Sequence, residues 1–167
     1  MRRILVIGPG GSGKSTLATR LGQKLALPVI HLDRLYWQPG WVEPDPLQWA
    51  KQVDAVISQE AWVLDGNYSA TLAARLHACD TVVFLDIPRL ICLGRVLGRS
   101  LRHFGGRRPD MAPGCPERLS LDFLLWIWRY PSRSREKVLP LLEAHRSARH
   151  VVCLRSQSQI ERFLRGA

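Results

Sequence analysis

No apolar run in this chain reaches the roughly 20 residues needed to cross a bilayer. The short run at residues 4–7 breaks into glycines instead of forming a signal-peptide core. A soluble, cytoplasmic protein with no membrane partner is therefore expected. Cysteine is sparse and scattered: Cys79, Cys92, Cys115 and Cys153 include no Cys-x-x-Cys pair. That spacing argues against a zinc site and against a disulfide framework, and leaves reduced thiols, some of them in the core. Internal repeats and low-complexity linkers are missing too, so the 167 residues read as one domain, within the usual range of about 100–200. Acidic residues are also in deficit, 14 against 24 Lys and Arg, for a formal net charge of +10. Such a field attracts phosphorylated ligands or nucleic acid, and charge alone does not separate the two.

What is present is an alternation of strands and helices. Arg3–Ile7 is a continuous apolar run, the pattern of a buried parallel strand, and a helix follows over 14–26 with Leu17, Leu21 and Leu25 on one face. A second strand over 29–32 ends at Asp33. Residues 34–46, rich in Pro, Gly and Trp, read as a long loop, after which Asp45 caps a helix over 47–60 with Pro46 in its first turn. A third strand at 62–64 closes on Asp65-Gly66, a short helix covers 70–78, and a fourth strand covers 81–85. Pro88 opens a helix through 102, and residues 105–117, with two Gly-rich breaks and three prolines, read as an exposed, mobile loop. Helices over 117–129 and 132–146 follow, the second with Pro140 as an expected kink. A fifth strand at 150–154 leads to a last helix with Ser156 and Gln159 as a capping box.

This order predicts an α/β fold: a five-stranded parallel sheet with helices on both faces, in the three-layer manner of P-loop NTPases. Ligands in such sheets bind beyond the carboxyl ends of the strands. Gly8, Asp33, Asp65 and Asp86 all fall on that rim.

Gly8-Pro9-Gly10-Gly11-Ser12-Gly13-Lys14-Ser15 fits the phosphate-binding pattern G-x-x-x-x-G-K-[ST], and Thr16 continues it into the helix. The glycines let backbone N–H groups turn inward as an anion nest, and the helix that follows aims its positive end at the same point. Lys14 is expected on the β- and γ-phosphates and the Ser15 hydroxyl on Mg²⁺. The implied cofactors are ATP and Mg²⁺.

Beyond this motif the chain resembles the bacterial DNA topology modulation (FlaR-type) proteins, P-loop proteins similar to adenylate kinase and shikimate kinase. The resemblance runs through His31-Leu-Asp-Arg-Leu-Tyr-Trp37, Pro39-Gly-Trp41, Trp62-Val-Leu-Asp-Gly-Asn-Tyr68, Asp86-Ile-Pro-Arg89, Gly114-Cys-Pro-Glu117 and Trp126-x-Trp128-Arg-Tyr-Pro131. The family name implies a role in DNA topology, whereas its sequence features imply a kinase. Leu64-Asp-Gly66 is similar to the turn after the third strand of adenylate kinases. The similarity also implies that Arg95 and Arg99, one helical turn apart and so on one face, meet the triphosphate. It makes 105–117 the counterpart of the kinase lid, without the four-cysteine zinc version. The adenine pocket is expected near 155–158.

Phosphoryl transfer is chiefly positioning and charge neutralisation, and a hydroxyl acceptor also benefits from a carboxylate base. Asp33 is the candidate for that base, or for a carboxylate holding Mg²⁺ through water. The resemblance to such kinases, with their third-strand carboxylate, makes Asp65 the candidate for organising Mg²⁺. Asp86 precedes a helix start, where a carboxylate is favourable regardless of function. Tyr36, Trp37 and Trp41, with Asn67 and Tyr68, stand where an acceptor would bind, either stacking on it or anchoring a long loop. The resemblance to adenylate kinases also implies that Arg133, with its neighbour Arg135, clamps the transferring group. His31 reads as a hydrogen-bonded core residue. The expected function is transfer of the γ-phosphoryl group to a nucleoside, nucleotide or other small hydroxylated metabolite. The alternative is a nucleotide-dependent DNA-binding regulator, though no helix-turn-helix, zinc finger or basic zipper pattern is present.

Overall fold

The computed structural model describes residues 1–103 and 110–167. Five strands, β1 (Arg3–Ile7), β2 (Val29–His31), β3 (Trp62–Asp65), β4 (Thr81–Leu85) and β5 (His150–Leu154), form one parallel sheet in the order β2-β3-β1-β4-β5. The central strand β1 is apolar on both faces because helices cover both. Ile4 and Val6 pack with Leu17 and Leu21 of α1 (Lys14–Leu25), with Cys92 and Val96 of α5 (Arg89–His103), and with Ile160 and Leu164 of α8 (Gln157–Gly166). Leu5 and Ile7 face the opposite layer. There they meet Trp49 and Val53 of α3 (Pro46–Ile57), Leu72 and Leu76 of α4 (Ser69–Ala78) and Leu142 of α7 (Glu136–His145). The period-2 alternation in β1 thus sorts its side chains into the two cores of a three-layer fold.

Several local expectations hold. The Asp45 carboxylate accepts from the N–H groups of Leu47 and Gln48, and Pro46 takes the first helical position of α3. Ser156 Oγ accepts from Gln159 N–H, as a capping residue does, but the Gln159 side chain returns to Arg155 N–H, one residue earlier than a capping box requires.

Other expectations change. Part of the predicted loop 34–46 is structured. Leu32–Tyr36 form a one-turn helix, α2, that brings Asp33 into a first helical turn instead of a strand end, and Gln38 bridges back to Val42. The helix predicted from 117 starts later: α6 is Leu121–Tyr130, capped by the Ser120 hydroxyl on Phe123 N–H. It runs through a π-helical turn, Pro131–Arg135, into α7, so the irregularity sits at the turn after Tyr130, and Pro140 lies inside α7. Residues 105–109 of the expected lid lie outside the described residues. Of the remainder, Met111, Ala112, Cys115 and Glu117 are buried, contrary to an exposed loop. No helix among the described residues is long and apolar enough to cross a membrane.

Candidate functional site

The loop from β1 to α1 is shaped by its glycines. Gly8 has φ 149° and passes so close to β4 that a Cβ there would meet Leu85 O at 2.6 Å. Gly11, at φ 77°, occupies the left-handed region that a side chain resists. Gly13 caps α1 without any side-chain hydrogen bond, and no acidic residue stands in the first turn. The first N–H groups of α1 therefore point outward with nothing of their own to satisfy them, which is the arrangement an anion fills. Ser12 Oγ is buried in the same loop with no hydrogen-bond partner among the described residues. Lys14 folds back over the loop, its Nζ donating to Pro9 O at 3.0 Å. Burial lowers its pKa, while the charges of Asp33 and Asp65 pull the other way. These features fit a phosphate chain.

Asp65 ends β3 and is only 4% exposed. Ser15 Oγ donates to its Oδ2 at 2.8 Å, and His31 Nδ1 lies 2.5 Å from its Oδ1. His31 and Asp65 are register partners on β2 and β3, so strand pairing alone brings them side by side. Burial works against the charged imidazole. The hydrogen bond to Asp65, with the charges of Asp65, Asp110 and Asp33, outweighs it and holds the His31 pKa above its ordinary value. Ser15 and Asp65 together offer the hard oxygen ligands that Mg²⁺ takes.

Asn67 clamps the start of the phosphate loop. Its Oδ1 accepts from Gly8 N–H at 3.1 Å and its Nδ2 donates to Gly8 O at 2.7 Å. The turn carrying Asn67 is held in turn by Arg75 of α4, which is 0% exposed. Arg75 Nη1 donates to Gly66 O at 2.8 Å, and Nη2 donates to Tyr68 O at 2.7 Å and to Asn67 O. Its Nε reaches Thr71 O. A buried guanidinium thus gathers three successive carbonyls, of which Tyr68 O also accepts from Thr71 N–H at 3.2 Å. It also holds Tyr68 at φ 31°, a backbone conformation that persists only where the surroundings impose it. Burial lowers the Arg75 pKa to about 10, so it stays charged at neutral pH.

Tyr68 then reaches Asp33, its hydroxyl donating to Oδ1 at 2.7 Å. Around this pair Tyr36, Trp49 and Tyr68 pack ring to ring at centroid distances of 4.3–5.1 Å. Trp37 and Trp41 sit edge to face beside them, and the Arg118 guanidinium covers Trp41 at 4.7 Å. The predicted acceptor residues Asp33, Tyr36, Trp37, Trp41 and Tyr68 are therefore neighbours. Asn67 spends both polar groups of its side chain on the phosphate loop.

The arginines divide. Arg95 lies on the phosphate loop, donating to Ser12 O at 3.1 Å and to Gln157 Oε1 at 3.1 Å. Arg99 Nε donates to Glu117 Oε1 at 3.0 Å. Arg133 is exposed and has no hydrogen-bond or ion-pair partner among the described residues. Arg135 instead grips both oxygens of Asp86, at 2.7 and 3.0 Å, and Arg155 joins at 3.3 Å. The bidentate bond to Arg135 comes first in lowering the Asp86 pKa. Asp86 thus ties the β4 end to the π-helical turn, beyond favouring a helix start.

Solved structures share this fold. A shikimate kinase from Acinetobacter baumannii in complex with shikimate aligns with a TM-score of 0.61 at 16% identity, over 99% of this chain and 90% of that one. A shikimate kinase from Bacteroides thetaiotaomicron aligns with a TM-score of 0.54 at 20% identity, over 99% and 95%. The chain thus shares the fold of these two proteins, a five-stranded parallel sheet between helices. No family model and no curated protein matches the sequence.

Sequence reasoning passed over Arg75, His31 as the partner of Asp65, and Glu117 as the partner of Arg99. Arg75 was readable only as one more residue of a short helix. His31 carried a signal, because two strand ends paired in parallel put their terminal residues together.

Proposed function

We propose that the protein is an ATP-dependent small-molecule kinase, transferring the γ-phosphoryl group to a nucleoside, nucleotide or other hydroxylated metabolite. The observation that carries this reading is the hydrogen bond between Ser15 of the phosphate loop and Asp65 at the end of β3, which joins a triphosphate cradle to a buried carboxylate. The shikimate kinase fold of the neighbouring structures supports it. Ser15 and Asp65 would hold Mg²⁺, with His31 fixing the Asp65 carboxylate. Bound Mg²⁺ supplies neutralisation of the triphosphate charge. Lys14 gives up its bond to Pro9 O to reach the phosphates, and Arg95 and Arg99 meet them from α5. Asp33, oriented by Tyr68, takes the proton of an acceptor hydroxyl. An acceptor phosphate is already ionised and would need Asp33 only for positioning. The aromatic group formed by Tyr36, Trp37 and Trp41 forms the wall against which the acceptor rests.

The test is transfer of label from γ-labelled ATP with Mg²⁺ to a panel of nucleosides, nucleotides and hydroxylated metabolites. Transfer by the native protein and none by Lys14→Ala is the expected result. A protein that binds ATP yet labels nothing in the panel would remove the kinase reading. The rival reading, a DNA-binding regulator, rests on the net charge of +10. Several of the arginines it would need are engaged within the protein: Arg75 on carbonyls, Arg135 on Asp86, Arg99 on Glu117 and Arg20 on Glu161. A gel shift that weakens steeply with salt would favour it over the kinase.

A further inference from the structure

The sequence stretch Gly114-Cys-Pro-Glu117 has no place in the phosphate cradle or beside Asp33, yet Glu117 is 5% exposed. A buried carboxylate persists where its charge is matched. Here Arg99 Nε donates to Glu117 Oε1 at 3.0 Å, and Ser100 Oγ donates to the same oxygen at 2.9 Å. Among the described residues Arg99 is held through Nε alone, so its two Nη groups keep their donors. Arg99 lies one helical turn along α5 from Arg95, which donates to Ser12 O of the phosphate loop, and its charge acts on the Lys14 ammonium. The segment carrying Glu117 is itself anchored. Gly40 N–H donates to Gly114 O at 3.0 Å, the Cys115 thiol donates to Gln38 O at 3.1 Å, and Arg118 covers Trp41. Glu117 is therefore a fixed post between the turn 38–42 and Arg99.

We propose that Glu117 is a positioning residue: by holding Arg99 through Nε, it turns the Nη edge of the guanidinium toward the terminal phosphate of the bound nucleotide. This rests on the kinase reading and deepens it. A guanidinium held on one edge presents its remaining donors to an oxyanion without reorganising, which is the condition under which such donors act most strongly. Glu117 also accepts from Ser100 Oγ, and its effect on the nucleotide passes through Arg99.

The experiment requires no knowledge of the acceptor. Affinities for a non-hydrolysable ATP analogue and for ADP, both with Mg²⁺, are measured calorimetrically on the native chain, Glu117→Ala, Glu117→Gln, Arg99→Ala and the double variant Glu117→Ala/Arg99→Ala. Thermal unfolding of each is followed in parallel. Native protein is expected to prefer the ATP analogue. Glu117→Ala is expected to lose about tenfold of that preference, the size of one charge-assisted hydrogen bond. Glu117→Gln keeps an acceptor oxygen of the same reach and should lose only about threefold. Because Glu117 acts through Arg99, the double variant should lose no more than Arg99→Ala alone. If Glu117→Ala lowers the unfolding temperature enough to blur the comparison, Glu117→Gln decides by the same ratio. Unchanged preference in both Glu117 variants, or losses that add to that of Arg99→Ala, would overturn the positioning role and leave the kinase reading standing. Native protein that binds neither nucleotide would instead overturn the kinase reading, and this inference with it.

Discussion

Replacing Arg75 with methionine tests how the phosphate loop is supported, because the side chain keeps its length and loses only its donors. Arg75 is fully buried and serves the carbonyls of Gly66, Asn67 and Tyr68. Tyr68 O would keep the Thr71 N–H; orphaning a buried acceptor costs about 1–3 kcal/mol, so Gly66 O and Asn67 O cost roughly 4 kcal/mol together. Against this stands the relief of not burying a charge. Burial lowers the Arg75 pKa from 12.5 to about 10, a penalty of about 3 kcal/mol on the charged form at 1.36 kcal/mol per pH unit. The net expectation for Arg75→Met is about 1 kcal/mol of lost stability, a fall in Tm of roughly 2–4 °C for a chain of this size. Function should suffer beyond that, because the same turn sets Asn67 on Gly8 and Tyr68 on Asp33. Arg75→Lys supplies a point charge without the planar fork and should fall between the two. Urea unfolding gives the stability, and calorimetry with an ATP analogue gives the affinity at a temperature where each variant is folded. An Arg75→Met protein as stable as the native chain, with unchanged nucleotide affinity, would show that the guanidinium does not organise the turn.

Three further outcomes follow from the same geometry. Asn67→Ala removes both bonds to Gly8 and is expected to weaken ATP-analogue binding about tenfold while shifting stability by only about 1–2 kcal/mol. Equal binding by titration would mean that the loop holds its shape unaided. Asp33→Asn should lose turnover and keep ATP affinity, since Asp33 faces Tyr68 and the aromatic wall; an unchanged kcat would show that it is not the base. Asp86 has a pKa held below 3.8 by Arg135. A depressed carboxylate contributes stability that is present above its unfolded value and is lost as pH falls through its folded one. Asp86→Asn should therefore be destabilised at neutral pH, with the gap to the native chain closing below pH 3.8 in urea melts. A gap that persists unchanged in acid would contradict the ion-pair account.

The strands and the phosphate loop were legible because their causes are local. Apolar runs of four to five residues bounded by Asp or Gly mark β1, β3 and β4, and the glycine spacing of residues 8–13 has few other uses. Capping at Asp45 and Ser156 is equally local, a side chain acting on N–H groups two or three residues away. The one-turn helix at Leu32–Tyr36 was not legible, because a single turn cannot pay its nucleation cost from its own sequence. It forms where Leu32 is buried in the core and Tyr36 packs on Trp49 and Tyr68. Burial of Met111, Ala112, Cys115 and Glu117 was hidden for a related reason: glycine and proline report chain breaks, not what the broken chain lies against.

The residues that sequence reasoning passed over share one property. Arg75, His31 and Glu117 each hold another group in place instead of meeting a ligand: the turn 66–68, Asp65 and Arg99 in turn. Nothing in a motif announces such a role, because the partner lies 7–34 residues away along the chain. The phosphate loop nonetheless depends on them. A glycine-rich loop is conformationally loose in itself, and here Asn67 fixes its first residue, Arg95 its fifth and Asp65 the hydroxyl of its last. Each clamp sits on a different element, the β3–α4 turn, α5 and β3. The loop is therefore as rigid as the contacts between those elements allow. Substitutions at Arg75 or Glu117 should then alter nucleotide binding without touching the glycine motif, whereas a motif reading would predict no effect at either position.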